Sequence, residues 1–154
     1  MSKVAVGRKV PDFSIATTAG QFRLKDARGG KLVVYFYPRD NTPGCTREGA
    51  DFQELKAQFT RAGTTILGVS TDSLASHEKF AAKMSFGFAL GSDEDHAVAE
   101  LFGAWKEKNM YGRKVMGIER STFLIDAEGV LREEWRKVKV DGHAEAVLAA
   151  ARKA

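Results

Sequence analysis

The chain holds a single cysteine in 154 residues, and the residues around Cys45 are those of a reactive turn. Cys45 closes the run Tyr37-Pro38-Arg39-Asp40-Asn41-Thr42-Pro43-Gly44-Cys45, between an apolar stretch and a segment of helical periodicity. A strand that ends in such a loop and reopens as a helix puts the sulfur at a helix N-terminus. Unpaired N–H groups and the helix dipole favour an anion there, and the thiolate is the nucleophilic form of cysteine. A lone cysteine is more commonly a small buried hydrophobe. Filler, however, does not call for Pro38, Thr42, Pro43 and Gly44 in front of it.

Other thiol chemistries fail on the residues. A dithiol site needs a second cysteine. A phosphate cradle of the C-x5-R type needs arginine where Asp51 stands. A cysteine protease needs a histidine base, and His77, His96 and His143 fall on helices or a cap, where they read as exposed or half-buried polar residues. One cysteine and scattered histidines form no ligand cluster, so no metal is expected.

The elements that must position Cys45 follow from periodicity. Residues 13–15 and 21–24, with Gly20 between them, predict a small hairpin. Residues 31–37 are apolar on successive positions, the pattern of a strand covered on both faces. A helix is expected over 46–62, with Phe52, Leu55 and Phe59 on one face and Gly63 ending it. Residues 64–70 predict a second buried strand, completing a βαβ unit. Asp72 or Ser73 is placed to cap a helix carrying Leu74, Phe80, Ala81 and Met84. After an apolar stretch at 86–90, Ser92 or Asp93 is placed to cap the next helix, with Val98, Leu101 and Phe102 inward. Residues 106–117 read as a loop or irregular hairpin. Strands are expected at 121–125 and 130–138, with Leu131 and Trp135 on one face, then a helix after Gly142. The sum is an α/β fold with a mixed central sheet flanked by helices.

Composition narrows the class. With 44% hydrophobic and 29% charged residues, disordered and fibrous readings are excluded. No repeat or linker divides residues 1–154, so one domain is expected. The net charge of +4 is spread out, which argues against a nucleic-acid partner. No stretch reaches the ~20 apolar residues of a membrane span, and the start of the chain lacks a signal-like apolar run. A lone cysteine suits a reducing compartment, and the expected location is cytoplasmic.

Pro38-x-x-x-Thr42-x-x-Cys45 resembles the active-site signature of the peroxiredoxins. The wider run 35–46 is similar to the bacterioferritin comigratory protein, or peroxiredoxin Q, branch. Further matches are Pro11-Asp12-Phe13 and Gly117-Ile118-Glu119-Arg120-Ser121-Thr122-Phe123-Leu124-Ile125-Asp126, so the resemblance runs from Gly7 to the last helix.

The resemblance implies a thioredoxin-like fold and a thiol-dependent peroxidase with no cofactor. Cys45 would be the peroxidatic cysteine, oxidised by hydrogen peroxide or an organic hydroperoxide to sulfenic acid. Thr42 would hydrogen-bond the peroxide and Pro38 would shield the sulfur. Arg120 would stabilise the thiolate and the leaving oxygen, and Glu48 would hold the arginine, unless it is only an exposed helix carboxylate. Relatives carry a resolving cysteine at positions that here are Ala50 and Ala81. An external thiol is therefore expected: glutathione with glutaredoxin, thioredoxin or another small thiol. Members of this branch are often monomers. A peroxide sensor that passes oxidation to a partner protein, and a non-catalytic module on the same fold, are the alternatives. Trp105, Tyr111 and Met116 either favour organic hydroperoxides or simply anchor their loop.

Overall fold

The computed structural model describes residues 3–154. Its centre is β3 (Lys31–Phe36), whose residues from Leu32 to Phe36 are at most 1% exposed. Leu32, Val34 and Phe36 join one core cluster, while Val33, Tyr35 and Tyr37 join the other. The unbroken apolar run is thus a strand with a hydrophobic layer on each face.

Around β3 lie β1 (Ser14–Thr17), β2 (Gly20–Arg23), β4 (Thr64–Ser70), β5 (Ala89–Ser92), β8 (Ser121–Ile125) and β9 (Leu131–Arg136). They form a seven-stranded mixed sheet in the order β2-β1-β5-β4-β3-β8-β9. β3, β4 and β5 are parallel neighbours, and the remaining pairings are antiparallel. The crossovers are α1 (Pro43–Arg61), between β3 and β4, and α2 (Leu74–Met84), between β4 and β5. Phe52 and Phe59 of α1, Phe80 of α2, and Ala144, Val147, Leu148 and Ala151 of α4 (His143–Lys153) bury one face of the sheet. Val98, Ala99 and Phe102, on and after α3 (Ala97–Leu101), join the cluster on the other.

Several expectations shift by identifiable causes. α1 starts at Pro43 rather than Thr46, because a proline in the first turn gives up an N–H that has no helical partner anyway. Ser73 caps α2, its hydroxyl accepting from Ser76 N–H at 3.1 Å. Asp93 serves α3 from outside the helix, its two carboxylate oxygens accepting from Val98 and Ala99 N–H. Residues 106–117 are a regular hairpin, β6 (Trp105–Met110) with β7 (Arg113–Ile118). Its turn, Tyr111-Gly112, has φ of 54° and 78°, the left-handed pair of a tight hairpin. A tyrosine in that position hid the turn from the sequence. Leu131 and Trp135 lie on opposite faces, not one: a bulge at Arg132 shifts the β8–β9 register and resets the alternation.

Candidate active site

The loop 37–42 leaves β3 at its carboxyl end and α1 returns the chain over the sheet. Two pairings decide what surrounds it. Phe36 is opposite Ser121 of antiparallel β8, so Arg120 stands level with the first residue after β3. Phe36 is also opposite Val69 of parallel β4, which brings Ser70, Thr71 and Asp72 alongside.

Cys45 is the third residue of α1. The first hydrogen bond within the helix is Thr46 N–H to the Thr42 carbonyl, 2.8 Å, so the N–H groups of Gly44 and Cys45 precede the intrahelical ladder. The cysteine is free and 2% exposed. Arg120 donates from Nη2 to its Sγ at 3.3 Å, and from Nη1 to Glu48 Oε1 at 2.6 Å. The guanidinium therefore bridges sulfur and carboxylate. Gly44 makes room for it, since a Cβ there would lie 3.1 Å from Arg120 Nη2.

Glu48 is 1% exposed, and its Oε2 has no hydrogen-bond partner. Burial pushes its carboxyl up from 4.5 to about 7, against the pull of Arg120. Burial also disfavours the charge on Arg120, but Glu48 and Cys45 outweigh it and hold the guanidinium pKa above its ordinary value. Tyr35 is pushed up by burial and then by the negative charges of Glu48 and Cys45. One cation thus answers more than one potential anion in a nearly dry site.

Thr42 donates its hydroxyl hydrogen to the Arg39 carbonyl at 3.0 Å, which leaves its lone pairs free to accept. Thr42 and Pro38 line a cavity of about 510 Å³ whose opposite wall includes Trp105, Lys108, Met110 and Met116. Lys108 has its pKa lowered by burial and by Arg120. Tyr111 is fully exposed at the hairpin tip and is not among the residues lining this cavity.

The structure thus joins Cys45 and Glu48 through Arg120, and places Pro38 and Thr42 together on the wall of the cavity. Glu48 is buried rather than an exposed helix carboxylate. Ala50 lies five residues beyond Cys45 on α1, and Ala81 lies on α2.

The histidines depart from expectation. His77 is wholly buried, with Nδ1 2.8 Å from Asp40 Oδ2 and Nε2 2.8 Å from the Gly91 carbonyl. His143 is 6% exposed and pairs with Thr122 Oγ1 at 2.8 Å; burial, then Arg120, lowers it from 6.5 to about 4. Only His96 is half-buried, stacked on Trp105 at 4.2 Å. Helical spacing alone did not show which helix faces meet the sheet.

Asp40, Asp72 and His77 also converge to metal-ligand distances, a cluster that sequence reasoning missed because strand register brings it together. Its donor atoms are already engaged. Asp72 Oδ2 accepts from Asp40 N–H and the Ser70 hydroxyl, and Asp40 accepts from Tyr37 and Ser76. An ion would have to displace all of these, so the residues present do not fit one.

Residues 6–134 match the AhpC/TSA family. The peroxiredoxin Bcp of Xanthomonas campestris pv. campestris is 55% identical over 140 residues, 90% of this chain and 88% of that one. Bacillus subtilis peroxiredoxin Bcp is 47% identical, covering 91% and 90%. Among solved structures, a Xanthomonas campestris peroxiredoxin Q superposes with a TM-score of 0.88 at 54% identity, covering 92% and 90%. That relative has been solved with one or the other of two cysteines changed to serine, thirty-six residues apart. Cys45 and Ala81 have the same separation here.

Proposed function

The chain belongs to the AhpC/TSA family, among the Bcp peroxiredoxins, and is a thiol-dependent peroxidase; we propose that Cys45 performs its chemistry, with Thr42, Arg120, Pro38 and Glu48 in the roles that follow. The observation that carries this reading is the bridge from Arg120 to both the Cys45 sulfur and Glu48, at the start of α1. A hydroperoxide enters the cavity and its O–H is accepted by Thr42. The thiolate attacks the terminal oxygen, forming an S–O bond as the O–O bond breaks. Sulfur gives up two electrons, and the leaving alkoxide or hydroxide is stabilised by the guanidinium and protonated from water. Pro38 keeps water off the sulfur, and Glu48 holds Arg120 in line.

With alanine at 50 and 81, the oxidation leaves through a thiol from outside the chain. The external sulfur bonds to Cys45, the S–O bond breaks, and the hydroxyl departs with the thiol proton as water. A second thiol attacks the mixed disulfide and releases the Cys45 thiolate. The apolar wall of Trp105, Met110 and Met116 supports organic hydroperoxides as substrates beside hydrogen peroxide. Alkyl peroxide reduction activity is also the subject of a study of the Xanthomonas campestris bacterioferritin comigratory protein, 49% identical to this chain with a TM-score of 0.90. The chain acts as a single-domain monomer in a reducing, cytoplasmic setting, in keeping with its one free cysteine. Among the described residues no helix is long and apolar enough to cross a membrane.

The test is turnover of hydrogen peroxide and cumene hydroperoxide with glutathione and glutaredoxin, or with thioredoxin, and mass spectrometry of Cys45. Sustained turnover with one of these reductants, through a mixed disulfide at Cys45, is expected. Peroxide consumption that survives Cys45→Ser would remove the cysteine from the mechanism. A single oxidation with no turnover under any reductant would instead favour a peroxide sensor.

A further inference from the structure

Lys108 of β6 lines the same cavity as Pro38 and Thr42. Lysines mostly reach into solvent, whereas this one is half-buried between its exposed neighbours Glu107 and Asn109. Among the described residues it makes no hydrogen bond or ion pair, and the adjacent carboxylate, Glu107, pairs with Lys114 at 3.7 Å instead.

The hairpin sets the direction of its side chain. Lys108 is paired with Val115 across the strands, but its Cδ, Cε and Nζ pass Gly117, 3.5, 3.6 and 3.8 Å from where a Cβ on that glycine would stand. The ammonium is thus carried along β7 away from the hairpin tip, on the side of Arg120. Its charge answers to the same site: burial, then Arg120, lower its pKa, while Cys45 and Glu119 pull the other way.

Attack of a thiolate on the terminal oxygen of a hydroperoxide expels the other oxygen as alkoxide or hydroxide, each a strong base in need of a proton. Arg120 stabilises that charge without neutralising it, because a guanidinium keeps its protons and this one is held above its ordinary pKa. The Thr42 hydroxyl hydrogen goes to the Arg39 carbonyl. The Arg39 side chain also lines the cavity, but it is exposed and, as a guanidinium, keeps its protons too. Asp72, on the same wall, accepts from Asp40 N–H and the Ser70 hydroxyl. A half-buried ammonium beside a second cation parts with a proton more readily than one in water.

We propose that Lys108 is a further catalytic residue, a general acid whose ammonium protonates the leaving oxygen of the hydroperoxide. This rests on the Cys45 peroxidase reading above. Sulfur gives up two electrons as the S–O bond forms, and the terminal oxygen keeps its hydrogen as the sulfenic hydroxyl. The O–O bond breaks, a Lys108 N–H proton passes to the departing oxygen, alcohol or water leaves, and water restores the ammonium.

The full-length protein, Lys108→Met and Lys108→Arg are each mixed with tert-butyl hydroperoxide or peracetic acid, and loss of the Cys45 thiol is followed by stopped flow in a single turnover. Expelled tert-butoxide needs a proton, whereas acetate leaves as a stable anion without one. β6 and β7 form a sheet of their own, so both substitutions leave the seven-stranded sheet intact. Lys108→Met should slow oxidation by tert-butyl hydroperoxide about 10²-fold, the lower end for general acid catalysis, and oxidation by peracetic acid less than about threefold. Lys108→Arg should be as slow as Lys108→Met with tert-butyl hydroperoxide, because it keeps the charge but has no proton to give. Equal slowing with both oxidants, no slowing with either, or the unaltered rate in Lys108→Arg overturns the general acid. An unaltered protein that loses its thiol to both oxidants no faster than free cysteine overturns the peroxidase reading instead.

Discussion

Replacing Glu48 by glutamine tests the electrostatics of the site through stability. Glutamine keeps an oxygen for Arg120 Nη1, now 2.6 Å from Oε1, and has nearly the same shape. What it removes is a titration. The carboxyl is 1% exposed, one oxygen is unpartnered, and burial carries it from 4.5 to about 7 despite Arg120. Between those values the unfolded chain has released the proton and the folded protein still holds it. Folded binds more protons than unfolded, so stability falls as pH rises through this window and levels off above about 7. One pH unit is worth ~1.36 kcal/mol, which makes the fall roughly 3 kcal/mol across the window. Urea unfolding from pH 4.5 to 8, with Cys45→Ser in both proteins to silence the thiol, measures it. Relative to Glu48→Gln, the glutamate protein should lose on the order of 3 kcal/mol by pH 8. Curves that stay parallel, or a glutamate protein that gains with pH, would refute a carboxyl dominated by burial and establish an ordinary ion pair.

Three other outcomes are expected. Arg120→Met should slow thiol oxidation by hydrogen peroxide by about 10²–10³-fold, the scale of losing one preorganised donor at a developing anion; stopped-flow rates within threefold of the parent would remove Arg120 from the peroxide step. His143, held near 4 by burial and Arg120, contributes stability that is present above 6.5 and lost as pH falls towards 4. His143→Gln should flatten that acid limb in unfolding experiments, and an identical limb would mean that His143 does not carry it. Gly49→Ala puts a Cβ 2.4 Å from Phe86 Cζ, so an overpacking cost of about 1–3 kcal/mol should appear as a lower melting temperature. An unchanged melting temperature would show that the half-buried Phe86 ring swings aside freely.

What could be read from the sequence was whatever the chain encodes locally. The apolar run of β3, the 3.6-residue spacing of Phe52 and Phe59, and the glycine after α1 each dictate their own element, and those elements stand where expected. The proline–threonine–cysteine spacing carried the chemistry, because Thr42 and Cys45 are neighbours on one turn. Arg120 was different. No spacing connects it to Cys45; only the β3–β8 register does, and the family resemblance stood in for that register. The Asp40–His77 contact escaped because the two residues lie on separate elements and are ordinary polar residues until α2 docks. The bulge at Arg132 escaped because one extra residue reverses the inside and outside of everything beyond it.

The meeting of Arg120 with Cys45 across seventy-five residues bears on how the protein matures. A chain emerging from synthesis presents the cysteine long before the arginine exists, and the β3–β8 pairing is among the most non-local contacts of the sheet. Until it forms, the thiol has no guanidinium beside it and reacts with peroxide as any free cysteine would. With Arg120 in the role proposed for it, fast oxidation becomes a property of the completed sheet rather than of the emerging chain. Peroxide reactivity, followed during refolding, becomes a clock for the closing of that strand pair.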